Sequence, residues 1–355
     1  MAGIDSCRES RSDPLWHRPH LREALISISK MNEISKESVT WLTIGESGDN
    51  QRIDNFLAKH LKGVPKSHIY RILRSGEIRV NSGRVDASYK LQLGDKVRVP
   101  PVRVARPATV GASRMAVAER LAGAVIYEDD ALLILNKPPG MAVHGGSGIS
   151  LGVVEQLRLE RPEAPFLELV HRLDRETSGV LMLAKKRGAL VKLHEAMREG
   201  RMEKHYLTLV KGKWCDEKRN VKLPLQKYLT AGGERRVSVS EDGQSAHTIF
   251  RLRQAWRDFS LLEAELKTGR THQIRVHLAH LGFPIAGDDK YGDFALNKEL
   301  SKKGLKRMFL HAHRLIIEHP ISGEQLHLEA PLPEDLQSFV ESLDADAMAK
   351  PVKQQ

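Results

Sequence analysis

The sequence predicts an α+β protein: a mixed, mainly antiparallel sheet domain preceded by a small unit of two helices and short strands. Three observations predict it. From residue 124 onward, short apolar runs that read as strands outnumber runs with helical spacing, and they connect mostly through turns. Positive charge is concentrated upstream, where residues 51–106 hold 13 Lys and Arg against 4 Asp and Glu, a net of +9 within a chain of +11 overall. Between the two, residues 107–123 include Pro107, Gly111, Ser113 and several small side chains, the composition of a linker.

Residues 1–44 mix Ser, Arg, Glu and His without sustained periodicity, and are expected to be disordered or an extension upstream of Met31. The small unit, 45–106, begins with Ile53, Phe56, Leu57 and Leu61 at helical spacing until Gly63 stops the helix. Pro65, Lys66 and Ser67 open a second helix through Ile69, Ile72 and Leu73, which Gly76 ends. Residues 78–81 read as a strand, Ser82 and Gly83 as a turn, and 96–99 as a closing strand. The sheet domain, 124–342, starts with a hairpin of 124–127 and 132–136 that Pro138, Pro139 and Gly140 terminate. Helices are expected at 150–158, at 187–199 with Leu190, Leu193 and Met197 on one face, and at 271–281 before Gly282 and Pro284. Strands are expected at 206–210, 260–266 and 314–317, and 343–355 is left as a flexible tail.

The most informative stretch is 168–186, ELVHRLDRETSGVLMLAKK, which puts one carboxylate, Asp174, at a break between two apolar runs. Leu169, Val170 and Leu173 before it and residues 180–183 after it read as strands joined by a polar turn that Gly179 closes. A strand end holds a side chain rigidly. Arg172 and Arg175 on either side favour an ionised acid and supply charge for a polyanion, a pattern that suits a nucleophilic or basic carboxylate facing nucleic acid. On spacing alone, capping of a hairpin turn remains the alternative role.

Other chemistries find less support. The glycine-rich run at 144–148 lacks the Gly-Lys-Ser/Thr ending of a phosphate-binding loop, so it reads as a structural turn and no nucleotide cofactor is expected. His272, His277, His311 and His313 are not set in an HExxH or paired-cysteine pattern, so no metal is expected. His194 and Glu195 read as surface residues of their helix. With only Cys7 and Cys215, no apolar run near the roughly 18 residues of a membrane span, and no leader pattern, the chain reads as cytoplasmic, with no membrane partner. No exposed heptad or broad apolar stripe appears, and a monomer is expected.

HRLDRETSGVLMLAKK resembles the active-site motif of the RluA/RluC-type pseudouridine synthases, His-Arg-Leu-Asp-x-x-Thr-Ser-Gly followed by a hydrophobic run. The likeness continues in order through NKPPGMAVHGG (136–146), KHYLTLVKG (204–212), TGRTHQIRVHLAHLGFPIAGDDKYG (268–292) and FLHAHRL (309–315). That resemblance implies isomerisation of uridine to pseudouridine in RNA without a cofactor. The base leaves ribose through its ring nitrogen, turns and rejoins through ring carbon 5, which requires an attacking carboxylate, a flipped-out base and a proton acceptor. It implies Asp174 as nucleophile and Tyr206 as the ring packed on the target base and involved in late proton transfer. It also implies Arg275 as the partner of the carboxylate and Arg172 as the residue filling the gap left by the flipped base. Attack at the anomeric carbon, abstraction of a ribose proton and addition to the base all stay open.

The helix, helix, strand order of the small unit resembles the alpha-L RNA-binding module of a small-subunit ribosomal protein and of tyrosyl-tRNA synthetases. There the second helix and the loop after it present basic residues to RNA, and the matching positions here are Lys66, His68, Arg71, Arg74, Arg79 and Asn81. Aromatic residues are few, Phe56, Tyr70 and Tyr89, so phosphate contacts should outweigh base stacking. Together with the run QRIDNFLAKHLKGVPKSHIYRIL, this module points within the family to uridines of 23S ribosomal RNA or its large-subunit precursor. A tRNA-directed synthase with an added RNA-binding arm, and an inactive RNA-binding assembly factor, are the rivals that an activity assay discriminates.

Overall fold

The computed structural model describes residues 38–46, 48–61, 64, 66–102, 121, 123–145, 151–164 and 166–349, and the chain divides into two compact units, Met1–Ala108 and Thr109–Gln355. Most of the expected N-terminal extension and linker, and the end of the expected tail, lie outside the described residues.

In the first unit, β1 (Thr40–Thr43), α1 (Ile53–His60), α2 (Lys66–Arg74), β2 (Arg79–Val80) and β3 (Lys96–Val99) follow one another, and the strands pair in the order β1-β3-β2, all antiparallel. Helices of eight and nine residues are marginal alone. They persist because Ile53, Phe56, Leu57, Ile69, Ile72 and Leu73 are buried in one cluster with Leu42, Val80, Val97 and Val99 from the strands. Strand β2 is shorter than expected. Asn81 and Ser82 take φ of +48° and +68° and form a two-residue turn, with Val80 and Gly83 exchanging backbone hydrogen bonds of 3.0 and 2.8 Å.

The second unit contains β4 (Val125–Glu128), β5 (Leu132–Lys137), α3 (Val153–Glu160), β6 (Glu168–Leu169), β7 (Ser178–Ala184), α4 (Arg187–Arg198), β8 (Glu203–Lys211) and β9 (Lys218–Lys222). It continues with β10 (Leu225–Leu229), β11 (Arg235–Val239), β12 (His247–Ala255), β13 (Phe259–Leu266), α5 (Gln273–His280), α6 (Phe294–Lys302), β14 (Leu310–Glu318), β15 (Gln325–Glu329) and α7 (Glu334–Ala349). Ten strands form one sheet along the path β4-β5-β7-β14-β8-β13-β12-β9, with β15 added to β14 and β6 to β7, while β10 and β11 form a separate hairpin. Among the described strands, β7 with β14 is the parallel pair and the others are antiparallel, which makes the α+β class with a mixed, mainly antiparallel sheet an observed property of the chain.

The centre of the sheet is apolar on both faces, so its strands read as continuous hydrophobic runs rather than alternating ones. In β5 and β7, Leu133, Leu135, Leu181 and Leu183 enter one cluster with Val153, Val154 and Leu157 of α3 and Ile274 and Leu278 of α5. Leu132, Ile134, Val180 and Met182 enter the opposite cluster with Ala189, Leu193 and Ala196 of α4. Strands β1, β9 to β12 and β15, and helices α6 and α7, were not anticipated from the sequence: β1 lies within 1–44, expected to be disordered or an extension, yet buries Leu42, and α7 continues to 349 through the expected flexible tail, where Asp344 accepts from Trp256 Nε1 at 2.9 Å. Gly179 also differs from expectation: it lies within β7 rather than closing a turn. Its φ is +109°, and a Cβ there would stand 2.1 Å from the carbonyl oxygen of Ala312, so the close approach of β14 to β7 requires glycine.

Candidate active site

One row across the sheet prepares the floor of the site. Lys137, Gly179, Ala312, Tyr206 and Ala264 are successive cross-strand partners on β5, β7, β14, β8 and β13. Residues in register project to the same face. Gly179, Ala312 and Ala264 therefore leave Tyr206 flanked by almost no side-chain volume, beside an open cleft of about 230 Å³ that Tyr206 lines together with His171, Asp174, Lys204, His272 and Arg275.

Asp174 enters the cleft because the edge of β7 changes partners. Residues 168–170 run along the C-terminal half of β7, ending with the Val170 N–H donating to the carbonyl of Met182, whereas Ser178 and Gly179 at its other end pair with β14. The chain between these pairings is displaced from the sheet and carries Asp174 with it. His171 closes the gap, its Nε2 accepting the Met182 N–H at 3.1 Å. Burial, and Lys204 nearby, push the His171 imidazole down to about 4, so it remains a neutral acceptor. The fully buried Lys137 Nζ donates to the carbonyls of Pro138, Met141 and Arg175 at 2.8, 3.0 and 3.2 Å, and Arg175 Nε donates to the carbonyl of Gly140 at 3.1 Å. Two cross-links thus fasten the Asp174 loop to the Pro138–Met141 turn.

The three expected arginines behave differently. Arg275 Nη1 donates to Asp174 Oδ2 at 3.1 Å. Arg175 turns to Gly140, and the Arg172 side chain is exposed beside the cleft with no ion-pair partner among the described residues, so neither neighbour in sequence is the counter-ion. Arg275 is itself held by Asp288, which accepts from Nε at 2.8 Å and Nη2 at 2.7 Å in a bidentate pair. Asp288 also accepts the N–H groups of Lys290 and Tyr291, at 2.8 and 3.0 Å. Burial works against the Arg275 charge, but Asp288 and then Asp174 more than reverse this and hold the guanidinium above its ordinary value. Burial likewise works against the Asp288 charge, and Arg275 reverses it, leaving that carboxyl lowered. Burial, then the charge of Asp174, raise the Tyr206 phenol, which keeps its proton.

Beside this pair, His272 caps α5 in the left-handed region, with φ of +53°. Its Nδ1 lies 2.8 Å from the Tyr291 hydroxyl and its Nε2 is 3.7 Å from Asp174 Oδ2. The site therefore unites Asp174, Tyr206 and Arg275 and keeps Arg172 at its rim, while His171, Lys137, His272, Asp288 and Tyr291 were not foreseen in it. Asp288 is fully buried, yet Gly-Asp-Asp-Lys-Tyr-Gly reads locally as a polar turn; its glycines were the available signal, since Gly287 and Gly292 both sit where a Cβ would meet backbone. His194, expected at the surface, is half-buried, with its Nε2 3.0 Å from the Val170 carbonyl. Gly145 of the glycine-rich run gives its N–H to Glu155, while residues 146–148 lie outside the described ones.

In the small unit, Arg71 and Arg74 are exposed on α2, and His68 stands 3.4 Å from Arg71. Lys66 opens that helix, though its side chain lies outside the described residues. Arg79 is exposed and donates to the carbonyl of Gly76 at 3.2 Å. Asn81 is engaged within the fold, donating to Asp95 at 2.7 Å and accepting from the Lys96 N–H at 2.9 Å. Among the described residues no helix is long and apolar enough to cross a membrane, and no group of three or more His, Cys, Asp or Glu is placed to hold a metal ion.

Comparisons with known proteins agree with this geometry. The profile of the RNA pseudouridylate synthase family matches residues 131–280, and that of the S4 domain matches residues 51–97. The chain is 50% identical over 315 residues to ribosomal large subunit pseudouridine synthase C of Pasteurella multocida, covering 88% of this chain and 97% of that one. It is 51% identical over 314 residues to the protein of the same name from Escherichia coli K12, covering 88% and 98%. Among solved structures, human RNA pseudouridylate synthase domain containing 4 superposes with a TM-score of 0.54 at 26% identity, over 65% of this chain and 97% of the human chain.

Proposed function

The chain belongs to the RNA pseudouridylate synthase family, and from that premise we propose that it isomerises specific uridines of 23S ribosomal RNA, or of its large-subunit precursor, with Asp174 as the nucleophile. One observation carries the proposal: Asp174 stands in a cleft 3.1 Å from the buried Arg275, with Tyr206 lining the same cleft on the small-residue row. In this reading the target uridine is flipped into the cleft, its base against Tyr206 and the space it leaves in the RNA filled by Arg172. Arg275 aims the Asp174 carboxylate, which attacks as the base detaches from ring nitrogen and is released again when the turned base rejoins through carbon 5 and gives up the proton carried there.

The small unit, residues 45–106, grips RNA through Arg71, Arg74 and Arg79, with Lys66 and His68 on the same helix and Asn81 holding the turn beside them. A catalytic domain of 124–342 then acts without a metal or nucleotide cofactor, in a cytoplasmic monomer. Both the choice of RNA target and the role of Asp174 are tested together. The protein is incubated with unmodified ribosomal RNA and transfer RNA, and pseudouridine is mapped by carbodiimide treatment and primer extension. New stops in 23S RNA are expected, reduced by at least about a thousandfold in Asp174→Asn while RNA affinity stays within a few-fold. Product in transfer RNA alone would overturn the substrate, and an active Asp174→Asn would overturn the nucleophile.

A further inference from the structure

Resting on the reading of Asp174 as nucleophile, we propose that His272 is a positioning residue held as the neutral Nε2–H tautomer, and that Arg275 and His272 together occupy Asp174 Oδ2 so that Oδ1 is the attacking oxygen. The donors around Tyr291 select the tautomer. The backbone N–H of Val237 on β11 donates to the Tyr291 phenol oxygen at 3.0 Å. The same oxygen lies 2.8 Å from His272 Nδ1. If Nδ1 carried the proton, two donors would converge on the phenol oxygen and the phenol's own hydrogen would have no protein acceptor among the described residues. With the proton on Nε2, the Tyr291 side is satisfied: Val237 N–H donates to Tyr291, the Tyr291 hydroxyl donates to His272 Nδ1, and Nε2–H remains on the side of the ring that approaches Asp174.

The surroundings of Asp174 select the oxygen. Arg275 Nη1 and His272 Nε2 both approach Oδ2, at 3.1 and 3.7 Å, and no described residue donates to Oδ1. A separation of 3.7 Å is too long for a hydrogen bond, and catalytic interactions of this kind tighten when substrate binds. As the carboxylate attacks through Oδ1, the second oxygen must keep its orientation, and two donors fixed from behind by Asp288 and Tyr291 provide that. Burial lowers the His272 pKa, in keeping with a neutral ring, while Asp174 and Asp288 act to raise it and Arg275 and Lys290 to lower it. The backbone bears on the test: His272 sits at φ +53°, a region uncommon for non-glycine residues in which Asn, Asp and His are the enriched types.

That conformation makes the test discriminating. Asn suits the left-handed backbone but places its amide nitrogen near Nδ1, whereas Gln suits the backbone less well but can present an N–H near Nε2. A purely structural role ranks His272→Asn above His272→Gln in activity. The proposal ranks Gln above Asn by on the order of tenfold in kcat, with KM and RNA affinity little changed. Two-bond proton–nitrogen correlation spectra of the full chain labelled in histidine, assigned by loss of the signal in His272→Asn, read the tautomer directly in the absence of RNA. The Nε2–H form is expected at neutral pH, giving way to a mixture in Tyr291→Phe. An Nδ1–H ring or an imidazolium in the wild type, or Asn equal to or better than Gln, would overturn the proposal. Failure of the synthase reading would show separately, as wild-type protein that makes no pseudouridine.

Discussion

Arg71 and Arg74 of the small unit are exposed with no carboxylate in ion-pair range among the described residues, whereas Arg275 of the sheet unit is 7% exposed and hydrogen-bonds two carboxylates, at 3.1 Å to Asp174 and 2.7 Å to Asp288, with the exposed Asp289 a third at 3.6 Å. The same side chain does opposite work in the two places. An unpaired guanidinium in water acts at a distance, is screened by salt and remains available to a phosphate. A guanidinium already committed to two carboxylates adds little to long-range attraction but fixes a reactive group to within tenths of an ångström. The sequence places most of its excess charge in the first category and the chemistry in the second.

Removing the buried arginine should break that contrast most visibly. Arg275→Met leaves Asp288, whose side chain is 1% exposed, without its counter-ion, and is expected to cost about 3–5 kcal/mol of stability together with nearly all turnover. Arg74→Met in the small unit should change stability by no more than about 0.5 kcal/mol. Adding Asp288→Asn to Arg275→Met should recover much of the stability but no turnover, because Asp174 still lacks its partner. Chemical denaturation and single-turnover assays on the four proteins measure both effects. Equal stability losses at the two arginines would show that burial is not what separates them.

This asymmetry also explains what could be read from the sequence. Asp174, Tyr206 and Arg275 were legible because each lies in a distinctive local run, and they meet in one cleft. Asp288 and Tyr291 were not, since their partners Arg275, His272 and Val237 lie 13 to 54 residues away and only the fold brings them together. The central strands β5 and β7 were evident as unbroken apolar runs. Strands such as β9, KRNVK, and β10, LQKYL, were not, because each buries a single side chain and covers its other positions with charge or solvent. Helix α5 was expected from residue 271, and begins two residues later because His272 is held out of the helical region by Tyr291.

Acid should separate the units by a smaller margin. His311 is fully buried, its Nδ1 2.9 Å from Ser178 Oγ and its Nε2 3.1 Å from the Ala330 carbonyl, and burial lowers it to about 4. Arg307 and His313 lower it as well, while the Ala330 carbonyl and Asp335 act to raise it. A histidine depressed in the folded state contributes stability that is complete above its unfolded pKa, near 6.5, and declines as pH falls toward 4. The small unit's Asp54 is lowered by Arg52 and then Tyr70 against the opposing effect of burial, so its contribution survives until the pH falls below the ordinary carboxylate range. Between about pH 6.5 and about pH 4.5 His311 alone should therefore cost the sheet unit about 2 kcal/mol, or roughly 4–8 °C in Tm, with little change in the small unit. His171, also lowered to about 4, shares the effect, so His311→Gln should remove about half of the slope. A Tm flat over this range in the wild type would show that neither ring stays neutral.

The smallest expected effect sharpens the comparison from the other side. Arg71→Ala and Arg74→Ala remove exposed charges from α2 without unpairing any carboxylate, so folding and turnover at saturating RNA should be unchanged. What should change is the dependence of affinity on salt. Every arginine–phosphate pair removed lowers the slope of log affinity against log salt by about 1, so in the double variant the slope should fall by about 2 and binding at low salt should weaken several-fold. Filter binding of ribosomal RNA fragments across a salt series measures this directly. An unchanged slope would mean that these arginines do not meet phosphate, and that the positive charge of the small unit acts through other side chains.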